Sequence, residues 1–270
     1  MAATLNLIGA GHVGRVLGRL WAASGAFTVQ DVLTRSPASA AAALAFIGAG
    51  RAALDLDSMR PAEVWMLAVG DDQIGPVCAA LAAAQPLAGS VVFHCSGAKA
   101  SSELAPAAAA GALTASVHPV RSFADPERVA ARFAGTFCGI EGEGASRLRG
   151  ALEAVGARPL AIEASAKAVY HAASVFASNY LVTVLDAALR AYQAAGVPEA
   201  LARELAAPLA EETLANVLRL GPEQALSGPI ARGDADTVAR QQTALDAWDG
   251  PTGATYRALA EATWSLARRR

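Results

Sequence analysis

Two predicted strand ends carry side chains that could move or orient a proton. The apolar runs Ser90 to His94 and Ala112 to Val117 are typical of buried strands, and Ser96 and His118 follow them in turns. Histidine exchanges protons near neutral pH, so His118 is the first candidate for acid–base chemistry, and Ser96 could orient a substrate oxygen or an amide. The alternatives are structural, because His118 could cap a local turn and Ser96 could satisfy backbone groups.

A second set of polar side chains lies on an apolar helix predicted from about Ala164 to Gly196. At about 100° per residue, one narrow stripe of that helix contains Lys167, His171, Ser174 and Ser178, with Tyr170 beside it. A polar stripe on an apolar helix is costly unless it faces water, a partner or a ligand. If it faces a ligand, Lys167 or His171 is the alternative acid or base and Asn179, off the stripe, is an orienting group. A solvent-facing stripe is the other interpretation.

The elements that must position these groups begin with a glycine-rich turn. Leu5 to Ile8 is a short apolar run, and Gly9-Ala10-Gly11-His12-Val13-Gly14 joins it to a helix predicted from about His12 to Ser24. In this pattern the first glycine permits a sharp turn, the second lets a pyrophosphate approach the backbone, and the third lets the helix pack close to the sheet. The free N–H groups of the helix would face the phosphates. This context predicts dinucleotide binding rather than a purely structural turn.

The end of the second predicted strand indicates which dinucleotide binds. Phe27 to Leu33 is followed by Thr34-Arg35-Ser36, where an NAD-binding unit usually has an acidic residue for the ribose 2′-hydroxyl. Thr34 takes the place of that acid, and Arg35 and Ser36 would attract a 2′-phosphate by charge and hydrogen bonds. We therefore expect NADP rather than NAD. The alternative is an ordinary exposed arginine at a strand end.

The strand Val64 to Val69 is predicted to be buried and to lead towards the nicotinamide end of the cofactor. Val69 and Gly70 are therefore assigned to the cofactor site. Asp71 or Asp72 is expected to cap the next helix rather than to take part in chemistry.

Strands alternate with helices up to about residue 163, with the last strands predicted at Thr136 to Ile140 and Arg158 to Ile162. This order predicts an α/β fold with an N-terminal doubly wound Rossmann domain built on a parallel sheet, residues 1–163. Only helical segments follow, which predicts an all-α substrate and dimerisation domain at residues 164–270.

Composition excludes several classes of function. The net charge is −2 with acidic and basic residues mixed along the chain, which argues against nucleic acid as a partner. The three cysteines are isolated and odd in number, so we expect no disulfide framework, no metal site and a reduced cytoplasm. No signal peptide is expected before the first strand. The apolar helix from about Ala166 to Ala195 carries several polar residues, which favours a buried helix of a soluble protein over a membrane span.

The order of these parts resembles the superfamily of 6-phosphogluconate dehydrogenase, pyrroline-5-carboxylate reductase and prephenate dehydrogenase. More narrowly, the chain is similar to a bacterial group of Rossmann-like oxidoreductases of unassigned substrate. The segments that carry this resemblance are His94-Cys95-Ser96-Gly97-Ala98, Ser116-Val117-His118-Pro119, Tyr170-His171-Ala172-Ala173 through Asn179-Tyr180, and Gly228-Pro229-Ile230-Ala231-Arg232-Gly233-Asp234.

The resemblance implies the fold, an NADP-type cofactor and a dimer. The helices after Ala164 are too apolar to be solvated on all their faces, which predicts a homodimer formed through the C-terminal helices. His118-Pro119 resembles the segment of prephenate dehydrogenases whose histidine contacts the substrate hydroxyl, and Ser96 resembles the serine at the end of their preceding strand. Lys167 and His171 are four residues apart, where hydroxyacid dehydrogenases carry Lys and Asn. His171 is thus a departure from that pattern.

The hypothesis is an NADP(H)-dependent oxidoreductase. Hydride would pass between the nicotinamide and a small carbonyl, imine or alcohol substrate, in a cleft between the two domains. His118 would be the acid or base, with Lys167 or His171 as the alternative. A non-catalytic NADP(H)-binding sensor is the second hypothesis, and it would need no converging polar groups. A flavoprotein is a third, disfavoured by Thr34.

Overall fold

A computed structural model describes residues 2–270, in which strands and helices alternate before a purely helical segment. The strands are Ala3–Ile8 (β1), Phe27–Leu33 (β2), Arg51–Ala53 (β3), Val64–Leu67 (β4), Val91–His94 (β5), Leu113–Pro119 (β6), Phe137–Glu141 (β7) and Arg158–Ala161 (β8). The helices are His12–Ser24 (α1), Pro37–Ile47 (α2), Ile74–Ala84 (α3), Ala105–Ala109 (α4), Pro126–Ala131 (α5), Ala145–Ala154 (α6), Lys167–Ala177 (α7), Asn179–Ala194 (α8), Glu199–Leu220 (α9), Pro222–Ala225 (α10), Gly228–Ala231 (α11), Ala235–Trp248 (α12) and Gly250–Ala267 (α13). Short 3-10 turns are Asp71–Gln73, Ser101–Leu104 and Ala164–Ala166.

The eight strands form one sheet in the order β3-β2-β1-β4-β5-β6-β7-β8. Neighbouring strands from β3 to β6 are parallel, which confirms the predicted doubly wound Rossmann domain. The last part differs from the prediction of a parallel sheet, because β7 runs antiparallel to β6 and β8 runs parallel to β7. The carboxyl ends of β1, β4, β5 and β6 therefore meet at one edge, where ligands bind in such sheets.

Reversal of β7 lengthens β6 beyond its predicted end. The apolar run predicts that this strand ends at Val117 and that His118 lies in a turn. In the structure, His118 pairs with Gly139 and Pro119 with Cys138 inside the ladder. The prediction was wrong at this point because an antiparallel partner supplies hydrogen bonds that local sequence does not reveal. His118 is thus held by the sheet itself.

The core explains why these segments pack as they do. Strands β4 and β5 are buried throughout, as their continuous apolar runs predict. Helix α1 buries Val16, Leu17 and Trp21 against the sheet, and the Trp21 ring nitrogen donates to the carbonyl oxygen of Ala151 at 2.9 Å. Burying such large apolar side chains contributes about 1.5–3 kcal/mol each to stability.

The long helix predicted from Ala164 to Gly196 is interrupted. Ser178 leaves helical geometry, with φ −130° and ψ −73°, and separates α7 from α8. The chain also divides here into two compact units, one ending at Ser178 and one comprising Asn179–Arg270. Helix α7, which the sequence analysis assigns to the second domain, therefore belongs to the compact unit that contains the sheet.

The expectation that this apolar stretch is buried is wrong within a single chain. In the described part of the chain, Ala164–Ala194 is the stretch long and apolar enough to cross a membrane by length and composition, and its most apolar window is not buried. The break at Ser178 leaves helices of 11 and 16 residues, each shorter than the roughly 20 that a span requires.

Candidate active site

The glycine-rich loop has the geometry that its sequence predicts. Gly9 has φ +82°, and a side chain there would overlap the carbonyl oxygen of Ala68. A Cβ at Gly14 would lie 2.7 Å from the Cβ of Ala68, so only glycine allows α1 to approach the sheet this closely. A Cβ at Gly11 would meet nothing within 4 Å. The open space beside Gly11 is therefore on the side from which a phosphate would approach.

The first turn of α1 offers free donors to such a phosphate. Gly11 is the N-cap residue, and no side chain accepts a hydrogen bond from this helix end. Arg15 supports the loop by donating from Nε and Nη2 to the carbonyl oxygen of Ala10, at 3.3 and 3.2 Å. His12 Nδ1 donates to the carbonyl oxygen of Phe123 at 2.6 Å. The loop is thus fixed by its neighbours while its N–H groups stay open.

A cavity of about 730 Å³ lies beside this loop at the ends of β1 and β2. Its lining includes Gly9, Thr34, Arg35 and Val69, which are among the residues assigned to the cofactor. Arg35 is exposed and, within residues 2–270, makes no ion pair or side-chain hydrogen bond. A free guanidinium on the rim of this cavity fits a phosphate group.

The other two residues of this strand end shape the entrance to α2. Ser36 is the N-cap, as predicted, because its Oγ accepts from the Ser39 N–H at 3.2 Å and also donates to the Ser39 hydroxyl. The Thr34 hydroxyl donates to the carbonyl oxygen of Ser36 at 2.9 Å. Arg35 therefore carries the charge at this position, and Thr34 and Ser36 hold the turn that presents it.

The acid of β2 does not substitute for the absent acid at Thr34. Asp31 is fully buried, and its carboxylate accepts hydrogen bonds from Arg51 and from the backbone and side chain of Arg60. Burial alone would raise the pKa of Asp31, but the hydrogen bonds from Arg60 and Arg51 outweigh it and hold this pKa below its usual range. The Asp31 carboxylate is thus fully engaged by Arg51 and Arg60 inside the protein.

Ser96 uses its full hydrogen-bonding capacity on protein groups. Its hydroxyl donates to Asp71 Oδ2 at 2.8 Å and accepts from the N–H groups of Ala98 and Lys99 at 3.2 and 3.0 Å. A serine hydroxyl has one proton and two lone pairs, so none is left for a substrate. The structure favours the alternative in which Ser96 satisfies backbone groups.

Asp71 is a site residue that the sequence analysis assigned to capping. No side chain caps the turn Asp71–Gln73; instead one Asp71 oxygen accepts from Ser96 and Asp72 accepts from Gln73. The capping expectation was wrong because the partner of Asp71 comes from the next strand end, 25 residues away. Asp71 is exposed and brings a negative charge to this edge of the sheet.

Lys167 lies beneath the same turn and not in the open. Its side chain is only 2% exposed, and Nζ donates to the carbonyl oxygen of Ser96 at 3.0 Å and to the hydroxyl of Ser116. Burial lowers the pKa of Lys167. The lysine therefore links α7 to the ends of β5 and β6, and two of its three protons already have acceptors.

His118 and His171 converge over Gly97, and Tyr170 contacts His118. The Tyr170 hydroxyl lies 3.1 Å from His118 Nδ1, and the His118 and His171 rings are 5.6 Å apart in an edge-to-face arrangement. A Cβ at Gly97 would lie 2.8 Å from His118 Nε2 and would overlap His171. The missing side chain of Gly97, next to Ser96 in the sequence, was the available signal for this close approach.

The environment of His118 keeps its imidazole neutral. Burial, followed by the charges of His171 and Lys167, lowers the pKa of His118 to about 4, although Asp71 acts in the opposite direction. At pH 7 this ring is therefore an uncharged donor and acceptor. Tyr170, whose pKa is raised by burial, is also neutral.

Asn179 begins α8 and belongs to the second compact unit, whereas His118, Tyr170 and His171 belong to the first. It is exposed, and its carbonyl oxygen accepts from the Thr183 hydroxyl at 3.4 Å. Its assignment as an orienting group stays a prediction.

Two family models match the chain and together account for most of it. Residues 2–119 match the Rossmann-like domain, and residues 136–263 match DUF2520, a domain of unknown function. The chain resembles Rossmann-like NADP oxidoreductases. None of the curated proteins matches the sequence.

Solved structures share the fold over almost the whole chain. A putative NADP oxidoreductase from Bacteroides fragilis, BF3122, aligns with a TM-score of 0.81 at 19% identity, covering 98% of both chains. Thermotoga maritima protein TM1727 aligns with a TM-score of 0.75 at 26% identity, covering 98% of this chain and 100% of the other. A reductive aminase from Aspergillus terreus, solved with NADPH and ethyl-5-oxohexanoate, gives 0.65 at 16% identity, covering 100% and 93%.

Proposed function

We propose that this protein is an NADP(H)-dependent oxidoreductase that transfers a hydride to or from a small carbonyl, imine or alcohol substrate. The observation that carries the proposal is that the open glycine-rich loop and the converging group of Asp71, His118, Tyr170 and His171 occupy the same edge of one sheet. Similar folds bind this cofactor, since the Aspergillus reductive aminase was solved with NADPH. A sensor that only binds the nucleotide would need no such group beside it.

The residues present fit the cofactor. The N–H groups of α1 beside Gly11 and His12 would hold the pyrophosphate, Arg35 would pair with the 2′-phosphate, and Val69 and Gly70 would line its path. When bound, NADPH supplies a hydride from C4 of its nicotinamide. The protein must then supply the proton and hold the substrate.

His118 is the group we assign to the proton, because its Nε2 makes no hydrogen bond within residues 2–270 and lies beside Gly97 and the second imidazole, His171. Lys167 is engaged with Ser96 and Ser116, so we assign it to positioning the strand ends. Ser96 holds its turn and anchors Asp71. His171 is the second imidazole of the site, and Asn179 is proposed to orient the substrate.

The cofactor assignment predicts that Arg35→Ala weakens NADPH binding far more than NADH binding. Loss of one exposed charge-assisted pair with the 2′-phosphate should raise the dissociation constant for NADPH about tenfold or more, because hydrogen bonds to charged groups contribute about 1.5–3 kcal/mol. The measurement is titration of each nucleotide followed by fluorescence.

Arg147→Ala is the matched control, since Arg147 is an exposed arginine of α6 outside the cofactor cavity. An equal loss of NADPH and NADH affinity in Arg35→Ala would refute the 2′-phosphate assignment. Failure of the wild-type protein to bind either nucleotide at near-millimolar concentration would refute the whole proposal.

We also propose that the protein is a cytoplasmic homodimer formed through its C-terminal helices. Helices α8 and α9 form an apolar groove of about 350 Å³. It is lined by Leu181, Val184, Leu185, Ala188, Tyr192, Ala206, Leu209, Ala210, Thr213, Leu214 and Val217. So much exposed apolar surface is typical of an interface. The three free cysteines suit a reducing compartment.

The dimer predicts that Leu214→Glu dissociates it, because a charge cannot be buried in an apolar interface without a partner. Light scattering at micromolar concentration should give the mass of two chains for the wild type and of one chain for the variant. Leu160→Glu is the control, since Leu160 lies in β8 and both leucines are 49% exposed. A wild-type mass of one chain would refute this proposal without affecting cofactor binding.

A further inference from the structure

The Tyr170 hydroxyl has a restricted set of neighbours. The His118 Nδ1 nitrogen lies 3.1 Å away, and the backbone N–H of Gly139 acts on the hydroxyl as a donor, which opposes the rise that burial causes in the pKa of Tyr170. A Cβ at Gly139 would be 2.5 Å from that oxygen, so glycine is required for the hydroxyl to sit here. A backbone N–H can only donate, whereas an unprotonated ring nitrogen can accept. Within residues 2–270 the proton of Tyr170 therefore has one protein acceptor, His118 Nδ1.

From this geometry we infer that Tyr170 is a positioning residue that fixes the tautomer of His118 and replaces the proton that His118 gives to the substrate. With Tyr170 donating to Nδ1, the single proton of the neutral imidazole is on Nε2, which makes no hydrogen bond within residues 2–270 and lies beside Gly97 and His171. This inference rests on the proposed function, since it takes the reduced substrate atom as the acceptor.

The proton transfer balances in the direction of reduction. As the substrate carbon gains the hydride that the cofactor supplies, its double bond to oxygen or nitrogen opens and that atom takes the proton from His118 Nε2. The Nε2–H bond breaks while the O–H bond of Tyr170 breaks and its proton bonds to Nδ1. A solvent proton then binds Nε2 and the Nδ1 proton returns to the tyrosinate, which restores both residues. The substrate is reduced by two electrons and NADPH becomes NADP⁺. The imidazole is neutral before and after the step.

The charged groups around His118 explain why a relay is needed. Lys167 and His171 on α7 disfavour a second proton on the ring, and burial acts in the same direction. Asp71, from the loop after β4, favours protonation but does not outweigh them. A histidine that cannot become a cation at neutral pH can donate its only proton if another is delivered to its second nitrogen at the same time.

The test is Tyr170→Phe, which removes one oxygen and keeps the ring beside His118. Nitrogen-15 NMR of the imidazoles should show His118 protonated on Nε2 in the wild type and a mixture of both tautomers in the variant. With a substrate that the wild type reduces, kcat should fall about 100-fold while KM stays within about twofold, since proton transfer and not binding is impaired.

Tyr256→Phe is the matched control, because it also removes one hydroxyl hydrogen bond, from Tyr256 to Gln241 at 2.6 Å. It should leave both the His118 tautomer and kcat unchanged. A wild-type His118 protonated on Nδ1, or a tautomer and kcat unaltered in Tyr170→Phe, would overturn the inference. Absence of NADPH binding would instead overturn the proposed function. In that case the NMR measurement would still show whether Tyr170 fixes the tautomer of His118.

Discussion

Replacing His118 with glutamine should lower kcat by 10²–10⁴-fold, the usual contribution of a positioned acid or base. NADPH affinity should not change, because His118 lies on β6 and the proposed pyrophosphate site lies on α1. Steady-state kinetics with any accepted substrate and a nucleotide titration measure the two quantities separately. A variant with reduced cofactor affinity and unchanged kcat would remove His118 from the proton step.

The pH dependence distinguishes a neutral from a cationic donor. A folded-state pKa of about 4, below the ordinary value of 6.5, keeps His118 uncharged above about pH 5. Turnover should therefore have no acidic limb between pH 6 and 7, where a cationic histidine would give one. The lowered pKa also changes the free energy of unfolding. Below pH 6.5 the unfolded chain binds this proton more readily than the folded protein does, so stability falls as the pH drops towards 4. Part of that loss should disappear in His118→Gln.

The second large effect is expected for Gly97→Ala. The new methyl group would meet His118 Nε2 at 2.8 Å and overlap His171, so both imidazoles must move. A displacement of about 1 Å can cost 10²-fold in rate. We expect kcat to fall at least this far while the protein still folds and binds NADPH, because Gly97 does not need a left-handed backbone.

Gly150→Ala provides the comparison. Gly150 lies within α6, and a Cβ there would meet nothing within 4 Å, so this change should stabilise the helix by about 0.5–1 kcal/mol. Thermal unfolding and kinetics of the two variants separate a general effect of alanine from a local one. Full activity in Gly97→Ala would mean that the imidazoles need not approach this backbone during turnover.

The proposed cofactor site could be predicted from the sequence because it is formed mainly by backbone groups, whose conformation the glycines determine. Glycine spacing reports directly on turns and close approaches, and Gly9 and Gly14 behave as their positions predict. The N-cap at Ser36 was likewise predicted, since a cap depends only on residues a few places apart. Features that depend only on residues close together in the sequence are therefore found in the structure as predicted.

The proposed substrate half depends on contacts between distant residues, which is why it was only partly predictable. His118, Lys167 and His171 were identified as candidates. Nothing in their spacing showed that Lys167 would donate hydrogen bonds to Ser96 and Ser116. Asp71 was assigned to a cap because its partner, Ser96, is contributed by another strand end. The reversal of β7 was missed for the same reason, since it depends on pairing with β6.

The placement of His118 inside the ladder of β6 and β7 has a consequence for how such a protein diversifies. A proton donor on a loop would change position whenever that loop gained or lost residues. His118 is paired with Gly139 in the sheet, so insertions beyond Pro119 leave its backbone fixed. The loops at this edge are thus free to vary and admit new substrates, while the proton is delivered from the same point in space.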